Sequence, residues 1–498
     1  MNCATICETT KYVVGAQPLI APMGDARPWL GTAMFRVRGL FVPVRTLALL
    51  LSEIVLMSLV LYLFAAPADG HLLGGGGVPG QFSLLLAVST ILTMVAVGLY
   101  NHDAMRDYRA TLARAVMALA LEAPFIFIAM LLYKQYLSPS VPAWLVWYGK
   151  VTVTLFVCIV TTRAICLFSI GTGVFKRRVV VIGAGERAQR VRQLGERSGA
   201  HFIPAAFVAL AGRDGDAQCS YTLDDTVDAE QLAQFTRTCG ANEIIIATDD
   251  RRGLPVHPLL GCKARGITIT DFLSFCERES GRVDLEALQP SWLIYSDGFR
   301  MSWTARAVKR TFDVVVSAAM LVLTLPLLLL TALAIKLEDG GPAFYSQERV
   351  GLLGKRFTLF KFRSMRVDAE DRSGPQWAEK QDARITRVGA FIRKVRIDEL
   401  PQLINVLRGD MSFIGPRPER PYFVEQLSRH VPFYAERHAV KPGITGWAQI
   451  MYPYGASLQD ARHKLSYDLY YVKNHTLLLD LIILIQTVRV ILFPQGAR

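Results

Sequence analysis

The residues best able to do chemistry lie in one stretch, FIRKVRIDELPQLINVLRGDMSFIGPRP, positions 391–418. Asp398 and Glu399 are adjacent carboxylates just before a short helical pattern, ELPQLINVLRG. Pro401 suits a first helical turn and Gly409 suits the end of the helix. Asp398 therefore falls at or beside a helix N-terminus, where unpaired N–H groups and the helix dipole favour negative charge. Arg393, Lys394 and Arg396 precede the pair, and Arg408 and Arg417 follow it. A carboxylate among several guanidiniums is expected to stay ionised and to tolerate a nearby phosphate. Two roles fit the pair. One carboxylate can attack phosphorus and become an acyl-phosphate, while its neighbour holds Mg2+ or handles a proton. The plainer alternative is an N-cap at Asp398 and a first-turn residue at Glu399.

Flanking segments tilt the balance towards phosphate. GPRP (415–418) sets Arg417 between two prolines, on a stiff backbone suited to a bidentate phosphate contact; a rigid structural turn would use the same residues. KPGITGWAQI (441–450) offers Gly443, Thr445, Trp447 and Gln449 to a base or ribose. RVGLLGKRFTLFKFRSMR places Lys361 and Arg363 two apart, on one face of a strand-like run.

The elements that must position these groups follow from the whole chain. Its 498 residues are too many for one ordinary domain. With 52% hydrophobic and only 19% charged residues, and a mean hydropathy of +0.29, membrane segments are expected. The net charge of +13 suits anionic lipid or phosphorylated substrates, and the apolar content argues against nucleic acid. Eight cysteines, all before residue 300, form no CxxC pair and read as buried small hydrophobes in a reducing compartment. The opening residues lack the pattern of a secretory signal.

After an N-terminal tail (1–40), four apolar stretches (roughly 44–66, 82–100, 113–133 and 144–165) predict a four-helix transmembrane region over 41–175. Arginines before the first helix, between the second and third, and after the fourth put both ends in the cytoplasm. Glu53 inside the first helix is either functional or turned to a neighbouring helix.

From Arg177 a strand–turn–helix alternation predicts an α/β, Rossmann-like domain over 176–300. Its glycine turn, GAGERA (Gly183, Gly185, Ala188), resembles a dinucleotide fingerprint. The acidic residue that would meet the ribose comes late, at Asp214, after Arg213. A structural or oligomerising domain is favoured over a regulatory, lost or NAD-using nucleotide site, and a homodimer through this or the membrane region is allowed.

A further apolar segment, 312–335, has basic residues on both sides and Pro326 near its middle. A helix that enters the bilayer, breaks at Pro326 and returns to the same face satisfies both features; the alternative is a kinked spanning helix. The apolar tail 477–493 contains Asp480, Gln486 and Arg489, which suits an interfacial or a core-packing helix better than a span.

In order, the motifs KRTFD, QERVG, FKFRSM, DELPQLINVLRGDMSFIGPRP, KPGITGWAQ and YDLYYVKN resemble the polyprenyl-phosphate hexose-1-phosphate transferases, the bacterial sugar transferases, over about residues 305–494. The helices and α/β region ahead of them resemble the long, exopolysaccharide-associated members. The resemblance implies a monotopic, α-rich α+β catalytic domain over 305–498, with a re-entrant membrane helix at 310–336. It implies that Asp398 attacks the β-phosphate of a UDP-sugar, with glucose favoured, releasing UMP before undecaprenyl phosphate takes the phosphosugar. Glu399 would support Mg2+, jointly with Asp398, or deprotonate the lipid phosphate, and Arg393 and Arg417 would bind phosphate beside Lys361 and Arg363. Where the family breaks its helix at Ser-Pro, this chain reads Thr324-Leu325-Pro326, keeping the proline without the adjacent serine. The implied place is the bacterial inner membrane, with the catalytic domain in the cytoplasm. Loop residues Tyr452–Ser457 and the 371–382 insertion are expected to choose the sugar.

Overall fold

Apolar runs fold as helices where hydropathy places them. In a computed structural model of the chain, the four stretches are α1 (Val44–Ala65), α2 (Gly80–Val97), α3 (Tyr108–Leu132) and α4 (Val141–Gly171). The structure describes residues 34–37, 40–65, 80–100, 108–132, 141–171, 176–197, 200–210, 221–223, 228–252, 254–295, 299, 301–367, 384–453, 455 and 457–492. An antiparallel hairpin of β1 (Met34–Val37) and β2 (Leu40–Pro43) runs straight into α1, in a stretch the sequence reads mostly as tail. Met57, Met94, Ala118, Leu155 and Ile159 form the helical core. Glu53 faces its neighbours: it is fully buried and accepts from Tyr100, from Thr162 Oγ1 at 2.8 Å and from Arg163 Nη2 at 3.2 Å. That contact locks α1 to α4.

Next comes a five-stranded parallel sheet in the order β5-β4-β3-β6-β7. Its strands are β3 (Arg177–Ile182), β4 (Phe202–Leu210), β5 (Tyr221–Leu223), β6 (Glu243–Ile246) and β7 (Thr268–Asp271). Helices α5 (Glu186–Glu196), α6 (Ala229–Thr238), α7 (Val256–Ala264) and α8 (Phe272–Ser280) alternate with them. Val180 and Ile182 enter one core layer and Val179 and Val181 the other, so the central strand is apolar on both faces. A short α9 (Pro290–Tyr295) leads out of this region.

The apolar segment after it belongs to α10 (Trp303–Asp339), a single helix of 37 residues. Pro326 lies inside it, and helical structure continues on both sides of the proline. The proline removes only the N–H that would reach Val322, and Thr324 Oγ1 donates to Met320 O at 2.7 Å one turn back. Both ends of α10 are fastened to the same body of structure. Near its start, Arg310 donates to the carbonyls of Val406 and Leu407 (2.6 and 2.7 Å), and buried Asp313 accepts from Ser412 Oγ and Phe413 N, both at 3.1 Å. At its far end Arg363 grips Asp339 through two N–H groups, and Ile335 packs with Phe362 and Ile392. Between these anchors the surface is bare hydrocarbon, with Val322 74% and Leu323 82% exposed. An apolar face of that kind needs a non-aqueous partner.

The remaining elements are short. β8 (Phe344–Val350) pairs antiparallel with β9 (Arg356–Phe362), followed by α11 (Arg387–Lys394) and α12 (Gln402–Arg408). β10 (Ser412–Ile414) pairs in parallel with β11 (Gly443–Thr445), and α13 (Pro421–His430) lies between them in sequence. Then come α14 (Trp447–Met451), α15 (Leu458–Asn474) and α16 (Leu477–Leu492). Of the polar residues that argued against a span in α16, Asp480 has a buried use. Asp480 accepts from Lys309 Nζ at 2.6 Å and Tyr471 Oη at 2.8 Å, while Leu479 and Ile483 enter the core. One face of α16 is therefore core, and the helix also packs against α2.

Asp313→Ala strands the buried amide of Phe413. It should cost about 2 kcal/mol of stability, seen as a lower melting temperature of the detergent-solubilised protein with no change in its helical circular dichroism at low temperature.

Candidate active site

Arg396 adopts a left-handed backbone (φ 62°) and turns the chain out of α11 into a 3-10 turn, Ile397–Glu399. For a residue with a Cβ that conformation costs about 1 kcal/mol or more, and here it sets up the two carboxylates. Pro401 then caps α12, and Gly409 closes it at φ 92°. α12 is held to β9 by fully buried Asn405, whose Nδ2 donates to Thr358 O at 2.7 Å and whose Oδ1 accepts from Phe360 N at 3.0 Å. Lys361, on the same strand, is thereby brought to the acidic turn.

The two carboxylates are treated unequally. Glu399 Oε1 accepts from Arg417 Nη2 at 2.6 Å and Lys361 Nζ at 3.4 Å, with Arg396 Nη1 at 3.8 Å. Burial alone would raise Glu399, but Arg417 and Lys361 outweigh it and hold the carboxyl well below the usual range. Asp398 is 8% exposed, and neither a hydrogen bond nor a salt bridge among the described residues ties it down. Burial, reinforced by the charge of Glu399, pushes its carboxyl up against the opposing pull of Lys361, Arg417 and Arg393. The pull of the surrounding guanidiniums on Asp398 is thus outweighed by burial and by the charge of Glu399. The nearest cations are committed to Glu399, and Arg393 acts on Asp398 only through space.

The other expected site residues divide sharply. Gln449 reaches the site, its Oε1 accepting from Arg417 Nη1 at 3.2 Å. Arg363 is turned to other partners: its Nε donates to Pro342 O at 2.7 Å and both its terminal nitrogens hold Asp339. Gly443 lies back to back with Gly415, too close for a side chain on either, which joins β11 to the GPRP turn. Thr445 Oγ1 bonds Thr487 Oγ1 in α16 at 2.8 Å. Trp447 donates from Nε1 to Gly281 O, at the end of α8, at 2.8 Å. Three of the four residues offered to a nucleotide are therefore occupied with packing. Of the sugar-choosing loops, 371–382 lies outside the described residues, and in the other Tyr452 Oη donates to Asp460 at 2.9 Å.

Arg349 was missed by the sequence reading. In β8 its Nη1 donates to Pro418 O at 3.1 Å, supporting the Arg417 turn, and its buried Nε has no partner. The signal was its place in QERVG, a motif used only for the family resemblance. No cluster of three or more His, Cys, Asp or Glu side chains able to hold a metal occurs among the described residues. Of the acidic pair only Asp398 offers an uncommitted carboxylate. A Mg2+ ion here would take most of its oxygens from a bound diphosphate and water, as Mg2+ commonly does.

The glycine turn of the α/β region already holds an anion. Asp249, just past β6, accepts from Glu186 N at 2.8 Å and Arg187 N at 3.2 Å at the start of α5, and a Cβ on Gly185 would strike its carboxylate. A dinucleotide's pyrophosphate uses those same N–H groups. The candidate ribose partner Asp214 lies outside the described residues. Asp249→Ala should remove about 1 kcal/mol of capping, measured as faster amide exchange in the first turn of α5.

The bacterial sugar transferase family model matches residues 304–494. The UDP-glucose:undecaprenyl-phosphate glucose-1-phosphate transferase of Escherichia coli (strain K12) is 31% identical over 81% of this chain and 88% of its own length. The UDP-N-acetylgalactosamine-undecaprenyl-phosphate N-acetylgalactosaminephosphotransferase of Aeromonas hydrophila is 44% identical over 250 residues, 50% of this chain, and the match spans 58% of that relative's length. The exopolysaccharide production protein PSS of Rhizobium leguminosarum bv. phaseoli is 43% identical over 36% of this chain and 93% of its own length.

Proposed function

The chain belongs to the bacterial sugar transferase family, and on that premise we propose that it moves a hexose 1-phosphate from a UDP-sugar to undecaprenyl phosphate. The observation that carries this reading is the unequal treatment of two adjacent carboxylates. Glu399 is saturated by cations while Asp398 is buried and unpaired. An unpaired carboxylate in a dry, positive pocket is a nucleophile whose negative charge need not first be stripped from a partner.

In the proposed first step an Asp398 oxygen attacks the β-phosphorus of the UDP-sugar. The bond from that phosphorus to the bridging oxygen breaks, UMP leaves with the electron pair, and the phosphosugar stays on the enzyme as an acyl-phosphate. In the second step an oxygen of undecaprenyl phosphate attacks the same phosphorus and the Asp398 carboxylate departs. Arg417 and Lys361 face the pocket as the cations that meet phosphate charge. Glu399 is held at too low a pKa to be an effective base at neutral pH. Its role in this scheme is to position Arg417 and Lys361. Mg2+, brought in with the donor, would neutralise diphosphate charge.

Glucose is the favoured sugar, supported by the relative that aligns along most of the chain. N-acetylgalactosamine is the second reading, resting on the higher identity of the Aeromonas enzyme. We place the reaction at the cytoplasmic face of a bacterial inner membrane, at the first membrane step of exopolysaccharide synthesis. The arginine pattern of the N-terminal helices supports that side. So does the docking of both ends of α10 on one body, which favours a helix that dips into the bilayer and returns. The α/β region is read as Rossmann-like, with its anion cradle filled from within.

Membranes carrying the protein should release UMP from UDP-glucose when given Mg2+ and undecaprenyl phosphate, and EDTA should stop the release. Asp398→Asn should lower it by about 10^4-fold; near-normal release by that variant would sink the nucleophile assignment. Because Asp398 works ionised and its pKa is raised, the rate should fall as pH drops through a value above the ordinary aspartate range. Arg417→Met removes a charge that pulls Asp398 down, so the acid limb should move to still higher pH. A cytoplasm-dependent reporter fused after Gly340 should be active, and activity only of an exported reporter there would refute the dipping helix.

A further inference from the structure

The α/β region rests on the C-terminal region through a tightly bonded seam. Glu277 of α8, 3% exposed, accepts from Lys473 Nζ and from Asn474 Nδ2, each at 2.6 Å. Lys473 Nζ also sits 4.0 Å over the ring of Trp292 in α9. Two residues past Gly281, Val283 N donates to Ser466 O at 3.0 Å, and Val283 and Leu288 enter the core formed by Leu403, Phe413, Leu465 and Leu469. At the centre of the seam, Trp447 Nε1 donates to Gly281 O at 2.8 Å while its ring stacks on Tyr470.

Trp447 is the first residue of α14, a helix of five residues, and Gln449 is the third. So short a helix holds its orientation only through what grips it. One grip is the Trp447–Gly281 bond; another is Gln449, which accepts from Arg417 Nη1 at 3.2 Å. Arg417 Nη2 then meets Glu399 at 2.6 Å. A continuous series of directional contacts thus runs from the last turn of α8 to the acidic pair.

We propose that the α/β region is a positioning element for the active site, with Trp447 the positioning residue that sets Gln449 and, through it, Arg417. This rests on the proposed transferase reading for its kinetic consequence, but the docking itself does not. Without the Trp447–Gly281 bond α14 loses one of its anchors, Gln449 is set less firmly against Arg417, and the guanidinium is held less closely in place.

Three single variants of the full-length protein in nanodiscs test this: Trp447→Phe, which keeps the stacked ring and removes the donor, Gln449→Leu, and Glu277→Gln, which weakens the seam from the far side. Amide exchange of residues 447–451 and of Arg417 should rise in Trp447→Phe and Glu277→Gln. The kcat for UMP release should fall about fivefold in Trp447→Phe, the effect of one lost neutral hydrogen bond, with KM for UDP-sugar unchanged. Trp447→Phe combined with Gln449→Leu should be no worse than Gln449→Leu alone. Multiplying effects, or unchanged exchange at Arg417 in both seam variants, would overturn the proposal. If the unaltered protein releases no UMP, the transferase reading fails and the exchange result alone decides the positioning role.

Discussion

A buried carboxylate clamped by a guanidinium and an ammonium is the interaction on which the catalytic region depends. Glu399 is removed from water and would be costly there without its partners. Arg417 and Lys361 arrive from different parts of the chain, the GPRP turn and β9. To bring them together, β9 must be tied to α12 through Asn405, and β10 must lie against β11 through the Gly415–Gly443 contact. Once the clamp is closed, its neighbour Asp398 is left in the same dry environment with no partner. The isolation of one carboxylate follows from the saturation of the other.

The second constraint is the apolar surface of α10. α10 has a bare apolar middle and two polar ends that bond to the same body of structure. Arg310 and Asp313 fix the first end to α12 and β10, the two elements that follow the acidic turn. Arg363, which sequence spacing paired with Lys361, fixes the second. Residues two apart at the end of one strand thus serve the acidic turn and the apolar helix respectively, which ties the two together.

Local chemistry was legible in the sequence wherever one segment carried the whole signal. Hydropathy located α1 to α4, the strand–helix alternation located β3, β4, β6 and β7, and Pro401 and Gly409 bracketed α12. Asp398 and Glu399 could be singled out from their neighbours in the chain. What remained hidden depended on partners far away in sequence. Nothing near Asp398 says that Arg417 will choose Glu399 instead. Asp249 lies more than sixty residues from the glycine turn that it fills, so that turn still reads as a vacant phosphate cradle. Trp447 looked like a ring for a nucleotide base until Gly281, 166 residues earlier, took its N–H. The β1–β2 hairpin escaped because four-residue strands beside a long apolar run carry too little alternation to register.

Val283 and Leu288 have a consequence for where one folding unit ends and the next begins. Both precede the family match at 304–494, yet both are buried in its core. The border drawn by sequence similarity is therefore not the border drawn by packing. A fragment cut at the similarity border would leave two apolar sockets open to water. The α/β region is built into its neighbour rather than hung beside it, and recombination at that border would have to repair the core.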